Sequence, residues 1–123
     1  MANVGADVTL CIKVRVNRPV PRLVVGYIIK DRLGQQIFGT NTHHMLTPLE
    51  GVKAGEEAEF RFSFPLNLGV GSYSVTTSLT SSETHLADNY EWRDLAFLFI
   101  VTNINRKHFV GCSWLEPKVE IIR

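Results

Sequence analysis

The alternation of residues 7–16 constrains the fold of this chain more than any other feature. Val8, Leu10, Ile12, Val14 and Val16 fall on one side, and Thr9, Cys11, Lys13 and Arg15 on the other. A period of two fits a strand with one buried and one wet face. The pattern returns at 56–64, where Ala58, Phe60, Phe62 and Phe64 oppose Glu57, Glu59, Arg61 and Ser63. It returns again at 72–82, where Tyr73, Val75, Thr77 and Leu79 oppose Ser74, Thr76, Ser78 and Thr80. No stretch carries a convincing amphipathic helical pattern. Further strands are predicted at 24–31, 36–41, 95–101, 109–115 and, after Pro117, at 118–122. About eight strands with turn signals at short intervals predict an all-β, two-sheet antiparallel sandwich.

Residues 24–42 form the most informative segment. Val24 to Asp31 is rich in β-branched and aromatic residues, which suit a pleated, half-buried surface. A turn at 32–35, with Gly34 free to take positive φ, leads into a returning strand that carries Ile37 and Phe38. Gly39 predicts a bulge or a close backbone approach. Gly34 and Gly39 have the spacing of a phosphate-binding loop. That loop also requires Lys and then Ser or Thr after the second glycine, followed by a helix. Here Thr40-Asn41 follow in a strand-turn-strand context, so no nucleotide site is expected.

The chain has 123 residues, the size of a single domain, and is predicted to be one sandwich over 1–123. Its 13 basic and 12 acidic residues leave a net charge of +1, which gives no electrostatic footprint for nucleic acid. The longest apolar run, 95–101, is too short to span a bilayer, so direct membrane insertion is not expected. Cys11 and Cys112 are expected as reduced structural thiols, Cys11 the more accessible, because no secretory signal is recognisable.

Two long loops are predicted, at 42–55 and 81–93. The first holds His43 and His44, but adjacent residues in an extended chain point opposite ways and chelate poorly. No set of ligands at metal spacing supports them, so neither metal nor cofactor is expected. Catalysis is not expected either. Glycan processing needs two carboxylates facing across a cleft, and no nucleophile-base pairing is recognisable.

The strands fall into two kinds. Those at 8–16, 57–64 and 72–80 have a polar outer face and are expected to share a sheet. Those at 24–31 and 95–101 are apolar on nearly both faces, so their outer side needs a cover: a second copy of the chain or the long loops. A homodimer is expected on 24–31, 95–101 and 109–115, with 118–122 a candidate for exchange between chains. The polar face combines hydroxyls with Lys13, Arg15, Arg61 and acidic residues. It reads either as an ordinary solvated surface or as a site for an uncharged polyhydroxylated ligand. In the second reading the ligand-binding residues are Arg61, Thr76, Ser78, Lys13 and Arg15, with Tyr90 closing one side of the groove; Trp92 is read as an anchor. A structural dimerisation sandwich without a ligand of its own is the alternative.

The hairpin residues Val25-Gly26-Tyr27, Ile29-Lys30-Asp31, Gly34 and Ile37 to Thr42 carry a family resemblance. Gly71-Ser72-Tyr73, Tyr90-x-Trp92, Phe97, Phe99 and Gly111 extend it over nearly the whole chain. The sequence resembles the C-terminal domain of Wzt, the ATPase subunit of ABC exporters of O-antigen polysaccharide in Gram-negative bacteria. The resemblance implies an immunoglobulin-like sandwich that binds the end of a finished O-polysaccharide without altering it, commonly as a dimer. It implies the ATPase and membrane subunits of the exporter as partners, and a cytoplasmic place at the inner face of the inner membrane. The ATPase domain is not in this chain, and little precedes Asp7 where the family has a further strand. Both departures lead us to expect a domain excised from a larger ATPase subunit.

Overall fold

The computed structural model describes residues 1–80 and 89–123, with 89–95 described by backbone alone. The described residues form eight strands: β1 (Ala2–Asn3), β2 (Asp7–Arg15), β3 (Val20–Asp31), β4 (Gln36–Asn41), β5 (Leu49–Val52), β6 (Glu57–Pro65), β7 (Gly71–Thr80) and β8 (Asn89–Thr102). They form the expected β-sandwich. The large sheet runs β1-β8-β7-β3-β4, with β5 added to the first half of β3. The small sheet is β2 paired with β6 over nine registered positions, from Asp7 opposite Pro65 to Arg15 opposite Glu57.

The alternating side chains meet between the sheets. Val14 and Phe62 from the small sheet join Leu23, Val25, Tyr27, Ile29, Tyr73, Val75 and Val101 from the large one. Tyr27 ties the layers together, its ring 4.9 Å from Phe62 edge-on and 6.1 Å from Phe64 in a stack. The segment after β1 passes the chain from one sheet to the other. Val4 N–H donates to the Thr102 carbonyl at 2.9 Å, and Gly5 N–H to the Leu66 carbonyl at 2.7 Å.

Several boundaries differ from the sequence reading. A short strand does precede Asp7: β1 pairs in parallel with the end of β8, Ala2 opposite Val101. The 42–55 loop contains β5, because Leu49 and Val52 find partners in Leu23 and Val20 of a β3 that begins earlier than expected. The expected 81–93 loop ends at Asn89, from which β8 pairs with β7; residues 81–88 lie outside the described residues. Neither 109–115 nor 118–122 is a strand. The tail joins the sandwich at the bridge of Leu68 with Ser113, where Gly69 N–H donates to the Cys112 carbonyl at 3.1 Å and Trp114 N–H to the Asn67 carbonyl at 3.0 Å, and Phe109 and Trp114, their rings 4.8 Å apart, pack against the core. Among the described residues no strand edge pairs the apolar residues beyond, and Val119, Ile121 and Ile122 are all exposed. Cys11 and Cys112 are both free and both exposed.

The largest correction concerns sheet membership. β7 does not lie beside β2 and β6. It lies at the centre of the large sheet, between β3 and β8. Residues 66–70 carry the chain across from the small sheet, with Leu66 and Leu68 buried as they cross. Alternation says which side of a strand is buried, but both sheets bury one side, so it leaves membership open.

Candidate site on the outer face of the large sheet

The hairpin β3–β4 builds one wall of the site, and its turn is closed by a side chain. Asp31 Oδ1 accepts from the N–H groups of Leu33 and Gln35, each at 2.9 Å, while Gly34 takes φ +83°. Aspartate is suited to this because its short carboxylate reaches backbone amides two residues on. Past β4 the chain is held against β3 at Thr42. Its N–H donates to the Val25 carbonyl at 2.9 Å, and its Oγ1 accepts from Val25 N–H at 3.1 Å. Asn41 Oδ1 then accepts from His44 N–H at 2.7 Å, which places His44 at the rim. Arg22 donates to His43 Nδ1 at 2.5 Å and fixes the tight turn that follows from the other side.

The register sets the outer face row by row. Asn41, Gly26 and Ser78 form one row, with Trp92 next in register on β8. Gly39, Ile28 and Thr76 form the next. Gln36, Lys30, Ser74 and Leu98 form a third, and Ser72 with Ile100 a fourth. The sheet is curled. The outer face is hollowed by a groove of about 400 Å³ lined by Gly26, Gln36, Gly39, Asn41, His44, Thr76 and Ser78, among others. A second hollow of about 620 Å³ continues from Thr76 past Ser74, Lys30 and Arg32 to Leu98 and Ile100.

Small residues allow this curvature. A Cβ on Gly26 would lie 3.0 Å from Asn41 Cβ and 3.1 Å from Ser78 Oγ; one on Gly39 would lie 3.0 Å from Ile28 Cγ1. Hydroxyl residues floor the hollow for the same reason, since they are short. Ser74, Thr76, Ser78 and Thr80 are all buried although they stand on the outer face, Thr76 at 1% exposure.

The expected ligand set therefore divides. Thr76 and Ser78 come together on the groove floor. Lys13, Arg15 and Arg61 lie on the small sheet, on the opposite side of the sandwich. There they form an ordinary wet face: Arg61 donates to Glu59 Oε2 at 2.9 Å, and Lys13 and Arg15 stand opposite Glu59 and Glu57. Tyr90 and Trp92 fall in strand β8 by backbone, and their side chains lie outside the described residues. Gly26, Gln36, Gly39, Asn41 and His44 were not singled out as site residues. The dense hairpin motif was their signal, since glycines at 26 and 39 of an otherwise bulky hairpin mark a surface where side chains would collide.

The groove can hydrogen-bond a neutral ligand through hydroxyl and amide groups. Among the described residues no group of three or more His, Cys, Asp or Glu side chains is placed to hold a metal.

The sequence matches the family profile of the Wzt C-terminal domain over residues 1–115. The chain belongs to the Wzt C-terminal domain family. Among solved structures it is similar to the crystal structure of the C-terminal domain of Wzt, with a TM-score of 0.84 at 20% identity, over 98% of this chain and 72% of that one. At that identity the likeness speaks for the fold alone. No match was found among curated proteins.

Proposed function

We propose that this Wzt C-terminal domain binds an O-antigen polysaccharide, without altering it, in the groove on the outer face of the large sheet, and so gives an ABC exporter its substrate specificity. One observation carries the reading. Thr76 and Ser78 floor a hollow edged by Gln36, Asn41 and His44, with no acidic residue among its described lining residues, and Ser74 continues the hydroxyl row beyond it. A glycan offers many hydroxyls and little apolar surface, and a site for it presents hydroxyls and amides on rigid strands. The exporter's ATPase and membrane subunits are the partners this reading requires, on the cytoplasmic side of the inner membrane. No helix among the described residues is long and apolar enough to cross a membrane.

The test is retention on O-polysaccharide isolated from the bacterium that encodes this chain. Ser78→Val keeps a short β-former on the strand but removes the hydroxyl and fills the floor. Retention is expected to fall about tenfold, from a lost hydrogen bond and steric crowding. Arg61→Ala, on the far sheet, is expected to bind as the unaltered chain does. Loss with Arg61→Ala and none with Ser78→Val would move the site to the small sheet.

A homodimer is the second element of the proposal. The apolar tail carries Val119, Ile121 and Ile122 at more than 80% exposure, and the two-stranded sheet leaves strand edges to pair. An exposed apolar segment beside an open edge favours addition of a strand from another chain.

A further inference from the structure

Asn41 stands in the wall of the groove with the two ends of its amide already told apart. Its Oδ1 accepts the His44 N–H at 2.7 Å, and its backbone carbonyl accepts the Met45 N–H at 3.1 Å. Thr42, the next residue, is buried and doubly bonded to Val25, so the strand end that carries Asn41 is held in place. With the oxygen engaged, the Nδ2 end is what Asn41 offers the groove it lines. That group donates two hydrogen bonds and accepts none. It makes no hydrogen bond among the described residues, and it is not buried.

The other polar groups of the groove leave the direction of a hydrogen bond open. The Thr76 and Ser78 hydroxyls and the Gln36 amide can each donate or accept. No carboxylate is among the described lining residues, so the side chain with a fixed role is a donor. A sugar hydroxyl does not call for a fixed donor, since it turns to suit an acceptor equally well. A carbonyl oxygen only accepts. One row along the sheet from Asn41 stands Ile28, which lines the same groove. Its side chain lies across Gly39, with Cγ1 3.0 Å from where a Cβ on that glycine would be. Neighbouring rows on one face are roughly 7 Å apart, two residues at the rise of a strand. A carbonyl oxygen sits about 2.9 Å from its donor, so one acyl group spans the rest, its oxygen on Asn41 Nδ2 and its methyl against Ile28. We infer that Asn41 is a specificity-determining residue and takes the acyl carbonyl of a substituted sugar, an acetamido or O-acetyl group. The inference rests on carbohydrate binding in this groove and adds the substituent recognised there.

Retention of the full chain on O-polysaccharide from the encoding bacterium tests this, once the acyl groups of the polymer are analysed. Mild alkali removes O-acetyl esters and leaves N-acetyl amides. Strong alkali removes both, and acetic anhydride in water restores the amide alone. Retention of the unaltered chain is expected to fall about fivefold on the treatment that removes the bound substituent, the effect of one lost hydrogen bond. Loss with mild alkali marks the ester. Loss with strong alkali alone, reversed by re-acetylation, marks the amide. Asn41→Asp keeps an acceptor for the His44 N–H but turns an oxygen toward the ligand in place of the donor. Its circular dichroism and urea midpoint are expected to match those of the unaltered chain, while retention on intact polymer falls about tenfold. A structural role alone would leave retention unchanged, and a hydroxyl at this position would donate to the new carboxylate. Undiminished binding by folded Asn41→Asp therefore overturns the inference. Retention that survives both alkali treatments, or a polymer that binds but carries no acyl group, overturns it too and leaves carbohydrate binding standing. If Asn41→Asp does not fold, the treatments of the polymer decide alone. If the unaltered chain is not retained on intact polymer, the carbohydrate-binding reading fails, and this inference with it.

Discussion

Gly26 shows how much a single residue decides here. It lies between Asn41 and Ser78 in the sheet, and its missing Cβ is what lets those two side chains approach across the concave face. In Gly26→Ala the new methyl would meet Asn41 Cβ at 3.0 Å and the Thr40 carbonyl at 3.2 Å, the latter being backbone that yields poorly. We expect a loss of about 1–3 kcal/mol, as for overpacking elsewhere, read as a lower urea midpoint at unchanged slope. Gly34 is different: nothing lies within 4 Å of its added Cβ, so its requirement is the positive φ of the turn alone. Asp31 supports that turn by two amide-to-carboxylate bonds. Asp31→Asn keeps an acceptor and is expected to cost little, whereas Asp31→Ala leaves both amides to water and lowers stability by about 1 kcal/mol, measured by thermal unfolding.

At the scale of elements, the two sheets have exchanged the roles that residue types alone assign to them. The heavily charged strands, β2 and β6, carry cross-strand pairs of opposite sign, Lys13 with Glu59 and Arg15 with Glu57. Such exposed pairs contribute little, and they keep the small sheet soluble. The quieter strand β7, with neither acid nor base among its ten residues, floors the candidate groove. The tail is the other element with unspent apolar surface. Deleting residues 117–123 is expected to shift sedimentation from dimer toward monomer while leaving the circular dichroism of the sandwich unchanged, because that segment contributes no strand. A chain that sediments as a monomer at high concentration before any deletion would remove the dimer proposal.

For the whole molecule, stability is expected to decline in alkali as two buried phenols are forced to ionise. Burial raises the phenol pKa of both Tyr27 and Tyr73 above the ordinary value, and Cys112 and Asp31 add to the effect at Tyr73. Tyr73 also donates its hydroxyl proton to the Gly69 carbonyl at 2.6 Å, a bond the phenolate cannot make. A raised folded pKa means that the unfolded chain releases these protons first. Their contribution is therefore complete below pH about 10 and is lost as the pH rises through the folded values. Urea unfolding across pH 8–11 should show the decline, and Tyr73→Phe should make it shallower while lowering stability at neutral pH by about 1 kcal/mol.

Local pattern alone determined a good deal of this protein. The inward faces of β2, β6 and β7, the turn at Gly34, the exposure of Cys11 and the all-β class follow from periods of two and from turn chemistry, which act within a few residues. The resemblance in the hairpin likewise named the family that the match over residues 1–115 shows. Tertiary structure decided what depends on distant partners. A strand at 118–122 needs an edge to join and finds none among the described residues, while β1 and β5 exist only because β8 and β3 accept them. Thr76 and Ser78 were parted from Arg61, Lys13 and Arg15 because a polar outer face is the same local signal in either sheet. Only the crossing at 66–70 separates the two. The burial of the hydroxyl row has the same origin: a serine on an outer face is exposed on a flat sheet and buried on a curled one, and curl is a property of strands packed together rather than of any one of them.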